Sequence, residues 1–214
     1  MLQLPRQIHW TIFSMNDSVD RLTKLFLKFP GIGERQARRF AYFILTQQEG
    51  YVDSLSRALV AARAHANTCS RCLRIFEGVP GLCDICDDDH RDQDSLLIVE
   101  KSQDIESFAR TNYKGLFFVL GGLIPIVQKD IIQGTHAQKL LDRVQKEQEQ
   151  IIHEIILAFP LTPNGEHTDS ALRELLAPVQ HDIVVTSLGR GLSTGAELEY
   201  ADPASLEASL KKRE

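Results

Sequence analysis

The sequence predicts a multi-domain α/β protein in three parts: a helical N-terminal third, a small finger built on four cysteines, and an α/β domain around a mostly parallel sheet. Three observations carry this expectation. Apolar residues recur every three or four positions from Val19 to Leu45, the period of amphipathic helices. All four cysteines of the 214-residue chain fall between positions 69 and 86. Beyond them come short continuous apolar runs, as in strands buried on both faces of a parallel sheet.

The elements follow in order. Val19, Leu22, Leu25, Phe26 and Phe29 predict a helix capped by Ser18 and stopped by Pro30. A second helix is expected from Glu34 to Gln47, burying Ala37, Phe40, Ala41, Ile44 and Leu45, and a third from Asp53 to Ala66. Strands are expected at Leu96–Val99, Leu116–Leu120, Ile155–Ala158 and Ile183–Val185, with crossover helices near Ser102–Thr111, Thr135–Ile152 and Thr168–Leu176.

A composition of 43% hydrophobic and 25% charged residues is that of a globular protein able to build a core, in one large or two to three small domains. No apolar run reaches the roughly 18 residues of a membrane span, and Met1-Leu2-Gln3-Leu4-Pro5-Arg6 lacks the layout of a signal peptide. A cytoplasmic location without a membrane partner is therefore expected, where thiols stay reduced. The net charge of -5 is uneven. Residues 1–74 hold eleven Lys/Arg against five Asp/Glu, whereas the remainder holds thirteen against twenty-four. The basic end is suited to phosphates and the acidic body to proteins or cations.

Cys69-x-x-Cys72 and Cys83-x-x-Cys86 form two knuckles ten residues apart. Each bends the backbone so that two thiolates converge, and two knuckles supply the four sulfur ligands of a closed structural Zn²⁺ site. Disulfides within Cys-x-x-Cys pairs are strained and mostly redox-active, which argues against that use. His90 and Asp87–Asp89 lie just beyond, with the coordination already complete.

Between the first two helices stands Phe29-Pro30-Gly31-Ile32-Gly33-Glu34-Arg35, the pattern of a helix-hairpin-helix. Gly31 and Gly33 permit a tight turn and close backbone approach, while Ile32 plugs the helix pair. The N–H groups opening the next helix would then point at a phosphate. Arg35, Arg38 and Arg39 follow, with Arg35 and Arg39 on one helix face. Such contacts reach the DNA backbone, on single or double strands, and are sequence-independent and salt-sensitive.

A helix-hairpin-helix, a four-cysteine finger and an α/β unit opening with Leu97-Ile98-Val99-Glu100 together resemble the RecR family of recombination mediators. The resemblance covers nearly the whole chain. It includes Arg91-Asp92 after the second knuckle, Tyr113-Lys114-Gly115-Leu116, Val119-Leu120-Gly121-Gly122-Leu123-Ile124, Arg190-Gly191-Leu192 and Leu198-Glu199-Tyr200-Ala201-Asp202. It implies a helical domain at 1–66, a zinc finger at 67–92, a Toprim domain at 93–188 with Glu100 as its acidic residue, and a C-terminal arm at 189–214. It also implies a homo-oligomer, dimeric or tetrameric, RecO-like and RecF-like protein partners, and a nucleoid-associated role loading recombinase on gapped or single-stranded DNA. The N-terminal Ile8–Phe13 and the arm's Leu192, Leu198 and Tyr200 are apolar segments suited to assembly.

The departures are specific. The family's Asn-Pro-Thr-x-Glu-Gly segment corresponds without gaps to Pro160-Leu161-Thr162-Pro163-Asn164-Gly165, so only Thr162 and Gly165 match, and Glu166 and Thr168 continue. Pro125-Ile126-Val127-Gln128-Lys129 replaces a Ser-Pro and Gly-rich continuation, and the cysteine pairs stand slightly further apart. Toprim enzymes hold Mg²⁺ with a Glu and a later Asp-x-Asp, and here the latter position reads Phe159-Pro160-Leu161. A non-catalytic mediator is thus the expectation, with Glu100 either binding a metal weakly or held as a carboxylate by the adjacent helix N-terminus. The alternatives are a divergent Toprim nuclease or topoisomerase-like enzyme, or a zinc-ribbon adaptor. No P-loop is present, since Gly189, Gly191 and Gly195 lack the lysine, and no Ser/His/Asp motif stands out.

Overall fold

The computed structural model describes residues 15–108, 110–127, 132–147, 152–179 and 183–189. Ile8–Phe13 and the arm residues Leu192, Leu198 and Tyr200 lie outside them. The chain divides into two compact units, Met1–Ala64 and His65–Glu214.

The first unit is helical: α1 (Met15–Phe26), α2 (Glu34–Leu45) and α3 (Glu49–His65). Small residues let α1 and α2 pack closely: Ala37 and Ala41 of α2 are fully buried, and Val19 of α1 is buried as well. Phe26 bridges the pair, its ring edge-on to Phe40 at 5.8 Å. Helix α2 starts at Glu34 as expected, whereas α1 and α3 begin earlier than the apolar period indicated. Ser18 sits inside the first turn of α1, and α3 starts four residues before Asp53. Leu45, expected inside, is 44% exposed, and Leu25 of the α1 apolar stripe is 57% exposed. The stripe is wider than the α1–α2 contact can cover.

The second unit opens with an antiparallel pair, β1 (Ala66–Thr68) and β2 (Ile75–Glu77), which carries the finger and was not anticipated. A four-stranded parallel sheet follows: β3 (Ser95–Val99), β4 (Leu116–Val119), β5 (Glu154–Ala158) and β6 (Val184–Ser187), in the order β4-β3-β5-β6. Leu96–Val99 and Leu116–Val119 are buried throughout, which explains why these runs show no alternation. The crossovers are α4 (Asp104–Phe108), α5 (Ala137–Glu147) and α6 (Pro163–Leu176), the last followed by a 3-10 turn, Ala177–Val179.

Helix α6 begins five residues before the expected Thr168. Thr162 is its N-cap, accepting from the Gly165 N–H at 3.2 Å, and Pro163 stands at the first helical position, where its missing N–H costs nothing. This accounts for the two matching residues of the divergent loop. Besides the cap, a β-carbon on Gly165 would overlap the Pro160 carbonyl oxygen. Thr168, fully buried, donates to the Asn164 carbonyl at 2.7 Å and accepts from the Ile124 N–H at 2.8 Å, tying α6 to the loop after β4.

The chain itself covers the β4 edge of the sheet and bonds one carbonyl of β6. At β4 the Val119 N–H donates to the Cys72 carbonyl at 2.8 Å, so the finger covers the strand. Buried Arg143 of α5 donates to the carbonyls of Phe117 at 3.0 Å and Arg71 at 3.4 Å. At β6, Arg173 donates to the Val185 carbonyl at 2.7 Å and to Asp169 Oδ1 at 2.7 Å.

Candidate metal centre and nucleic-acid interface

The four thiols converge as the knuckles require. A turn bond from the Leu73 N–H to the Cys69 carbonyl, 3.0 Å, closes the first knuckle, and one from the Cys86 N–H to the Cys83 carbonyl, 3.0 Å, closes the second. The Cys83 N–H also donates to the Cys69 sulfur at 3.3 Å, joining the two. Leu73 adopts a left-handed φ of 62°, costly without glycine, and is held there by burial in the core of the α/β unit.

All four cysteines are buried, and their sulfurs lie within 4.8 Å of one another. Cys72 and Cys83 are 3.6 Å apart, too far for a disulfide bond of about 2.05 Å. A tetrahedron with metal–sulfur bonds of about 2.3 Å has edges near 3.8 Å, so the cage fits such an ion. Its electrostatics point the same way. The hydrogen bond between them pushes the Cys72 thiol up to about 12, while bonds from Cys72 and Cys86 hold Cys83 far below the usual thiol range. The cluster shares protons because four bare thiolates would repel, and a divalent cation removes that conflict. The four cysteines can therefore hold a metal ion. His90 is exposed and paired with Asp88 Oδ1 at 3.2 Å, apart from the cage.

The hairpin follows α1. Bonds from Leu27 N–H to the Thr23 carbonyl, 2.9 Å, and Phe29 N–H to the Phe26 carbonyl, 3.0 Å, tighten the end of the helix, and Gly31 turns the chain at a left-handed φ of 74°. Gly33 does not share that geometry. It is the extended N-cap of α2, with φ -86°, and no side chain caps the helix, so the first N–H groups of α2 stay open. Ile32 is half-buried, as the plug should be. Arg35, Arg38 and Arg39 are all exposed. Arg38 turns back to Asp20, its Nη2 3.2 Å from Oδ1, whereas Arg35 and Arg39 make no ion pair among the described residues.

Glu100 follows β3, but its partner is not a helix N-terminus. Lys101 Nζ lies 2.8 Å from Glu100 Oε1, and that carboxylate raises the lysine's affinity for its proton. Phe159-Pro160-Leu161 after β5 supplies no carboxylate, and Asp169 is held by Arg173 and the Ser187 hydroxyl. Among the described residues no group of carboxylates converges beside Glu100 as the cysteines do. The sequence reading did not single out Arg143. Its signal was its place one position before Val144 on a helix otherwise rich in charge, where a buried arginine looks like a surface one.

The architecture defines a class: a helix-hairpin-helix unit joined to a Toprim α/β unit carrying a four-cysteine finger. A family model for the RecR helix-hairpin-helix matches residues 19–63, and one for the Toprim domain matches residues 94–188. The chain is 36% identical over 198 residues to the recombination protein RecR of Pediococcus pentosaceus, covering 92% of this chain and 96% of that one. It is 37% identical to RecR of Limosilactobacillus reuteri, covering 90% and 94%, and 35% identical to RecR of Chlorobium phaeovibrioides, covering 92% and 96%. The chain belongs to the RecR family, as a divergent member. Its function is that of the family, a non-catalytic recombination mediator in DNA repair.

Proposed function

We propose that this mediator works as a DNA clamp, a dimer or tetramer that contacts the backbone of single- and double-stranded DNA through the hairpin. Gly31 and Gly33 bring the open N–H groups of α2 to a phosphate, and Arg35 and Arg39 add charge beside it. Arg38 contributes less, being shared with Asp20. The observation that carries the reading is the pair Arg35 and Arg39, exposed next to an uncapped helix start without an acidic partner among the described residues.

One hairpin makes few phosphate contacts, and joining several gains affinity through effective concentration. Helix α3 supports assembly. None of its seventeen residues is buried, and Tyr51, Leu59 and Val60 are 46%, 62% and 69% exposed, an apolar surface that a second copy would cover. The cage takes Zn²⁺ in a structural role, since four thiolates are its preferred closed set. The proposed division of labour is DNA contact in 1–66, scaffold in the finger at 67–92, partner contact on the acidic Toprim domain at 93–188, and assembly through the arm at 189–214. RecO-like and RecF-like proteins are the partners this reading gives, in the cytoplasm at the nucleoid. No described helix is long and apolar enough to cross a membrane.

The test is fluorescence anisotropy with single- and double-stranded oligonucleotides. Arg35→Ala with Arg39→Ala should weaken both while metal content stays the same. An unchanged affinity in the folded double variant would move the DNA surface elsewhere.

A further inference from the structure

A groove of about 490 Å³ separates the finger from α4, inside the second compact unit. Its finger wall is Arg74, Ile75, Asp84 and Ile85. Asp84 and Ile85 are the two residues between the cysteines of the second knuckle, so the metal cage shapes this wall. The facing wall is Ser102, Gln103, Ile105 and Glu106. Two bonds fix the walls: the Ile75 N–H donates to Ser102 Oγ at 3.1 Å, joining one to the other, and Arg74 Nη1 donates to Asp84 Oδ1 at 2.8 Å within the finger. Gln103 and Glu106 also line a second hollow of about 290 Å³, which reaches Ser107 and Arg110.

The groove also holds Arg91, from the Arg91-Asp92 motif to which neither the hairpin nor the cage gives a role. Its guanidinium carbon lies over the Phe117 ring, 5.7 Å from the centroid, and Tyr113 packs edge-on to that ring at 5.2 Å, so the platform is fixed. The Arg91 side chain makes no hydrogen bond and no ion pair among the described residues, and its Nε is buried without a partner. The neighbouring acids are engaged elsewhere: Asp88 accepts from the His90 N–H at 3.0 Å and Asp92 from the Asp94 N–H at 2.9 Å. A guanidinium laid on an aromatic face offers its donors edge-on, the geometry that receives a carboxylate through two parallel bonds.

The rest of the groove selects among anions. Arg74 and Asp84 cancel, leaving Arg91 and Arg110 against Glu106. A net charge of one cation suits a carboxylate better than a run of phosphates, and Glu106 repels a nucleic-acid strand. Ile75, 61% exposed, and half-buried Ile85 add an apolar surface that a phosphate backbone does not use. The unit is acidic as a whole, but charges more than about 10 Å away are screened at about 0.1 M salt, and the local set decides.

We propose that this groove docks an acidic peptide segment of a protein partner, its carboxylate on Arg91 and an adjoining apolar side chain on Ile75 and Ile85. This rests on the partner-contact reading above, and it adds the finger to the contact surface. It uses no residue of the hairpin.

The experiment selects displayed random dodecapeptides on the full-length, metal-loaded protein with a saturating single-stranded oligonucleotide present, then measures the enriched peptides by fluorescence anisotropy. Enriched sequences should carry Asp or Glu beside an apolar residue. Arg91→Gln should weaken their binding by about 10- to 100-fold, the loss of charge-assisted bonds. Ile75→Asp, at an exposed position whose backbone bond is kept, should weaken it as well, and Glu106→Gln should tighten it by up to about 5-fold. If Arg91→Gln does not fold, the two exposed-site variants carry the test. Arg35→Ala/Arg39→Ala should bind the peptides as wild type does while losing DNA affinity, so the groove and the clamp are read separately. Enriched peptides without acidic residues, or peptides that ignore the groove variants, would overturn the groove and place the partner surface elsewhere. No enrichment would overturn the partner-contact reading along with it. Displacement of the peptides from the hairpin variant by added oligonucleotide would give the groove to nucleic acid and overturn the proposal too.

Discussion

Removing the metal should loosen the α/β unit as well as the finger, because the first knuckle is part of that unit's core. Two contacts set the size of the effect. Leu73 is 8% exposed in the main core, worth about 2 to 3 kcal/mol, and the Val119 to Cys72 backbone bond adds about 1 kcal/mol. A collapsed finger thus costs roughly 3 to 4 kcal/mol, and at about 2 to 4 °C per kcal/mol for 150–250 residues the melting temperature should fall by about 10 °C. Cys83→Ser is the sharpest perturbation, since it removes one of the four sulfurs and the thiol that Cys72 and Cys86 both engage. The assay is elemental analysis with scanning fluorimetry, with and without chelator. Wild type should carry one Zn²⁺ per chain and melt lower after chelation, and Cys83→Ser should melt low in both conditions. Protons compete with metal for thiolates, so the ion should be held at neutral and alkaline pH and released as pH falls. Metal-free protein whose melting temperature ignores both chelator and substitution would refute this account.

Two further outcomes follow from the Toprim unit. Gly165→Ala should destabilise by about 1 to 3 kcal/mol, because the new methyl meets the Pro160 carbonyl oxygen, and Thr168→Val by a similar amount, because it removes both bonds of a buried hydroxyl; urea denaturation reads each. Glu100→Gln should change melting by less than about 1 kcal/mol and leave DNA affinity intact, and neither form should cleave DNA with Mg²⁺, as strand-cleavage gels would report.

The parts legible in the sequence were those with a local cause. Two knuckles converge by their own backbone geometry, so Cys69, Cys72, Cys83 and Cys86 could be read as one cage. The strands around Leu96–Val99 and Leu116–Val119 were legible because burial on both faces removes polar residues from the run. The pair β1–β2 was not, since three-residue strands are set by the cage they carry. The start of α6 is signalled by Thr162-Pro163, an N-cap followed by the proline-tolerant position, but the apolar pattern that marks a helix begins only later. Leu25 and Leu45 satisfy the helical period but face out, because periodicity reports an apolar face without saying what covers it. Arg143 was hidden for the opposite reason, a charged residue whose partners are backbone carbonyls distant in sequence.

The central claim is that DNA is held at the hairpin through its phosphates. The salt dependence of duplex affinity tests it most directly, measured on wild type and on Arg35→Ala/Arg39→Ala at matched metal content and oligomeric state. Losing two duplex contacts per hairpin should flatten the slope of log affinity against log salt by about 1.8, more where several hairpins engage one DNA. A double variant with the wild-type slope would contradict the claim.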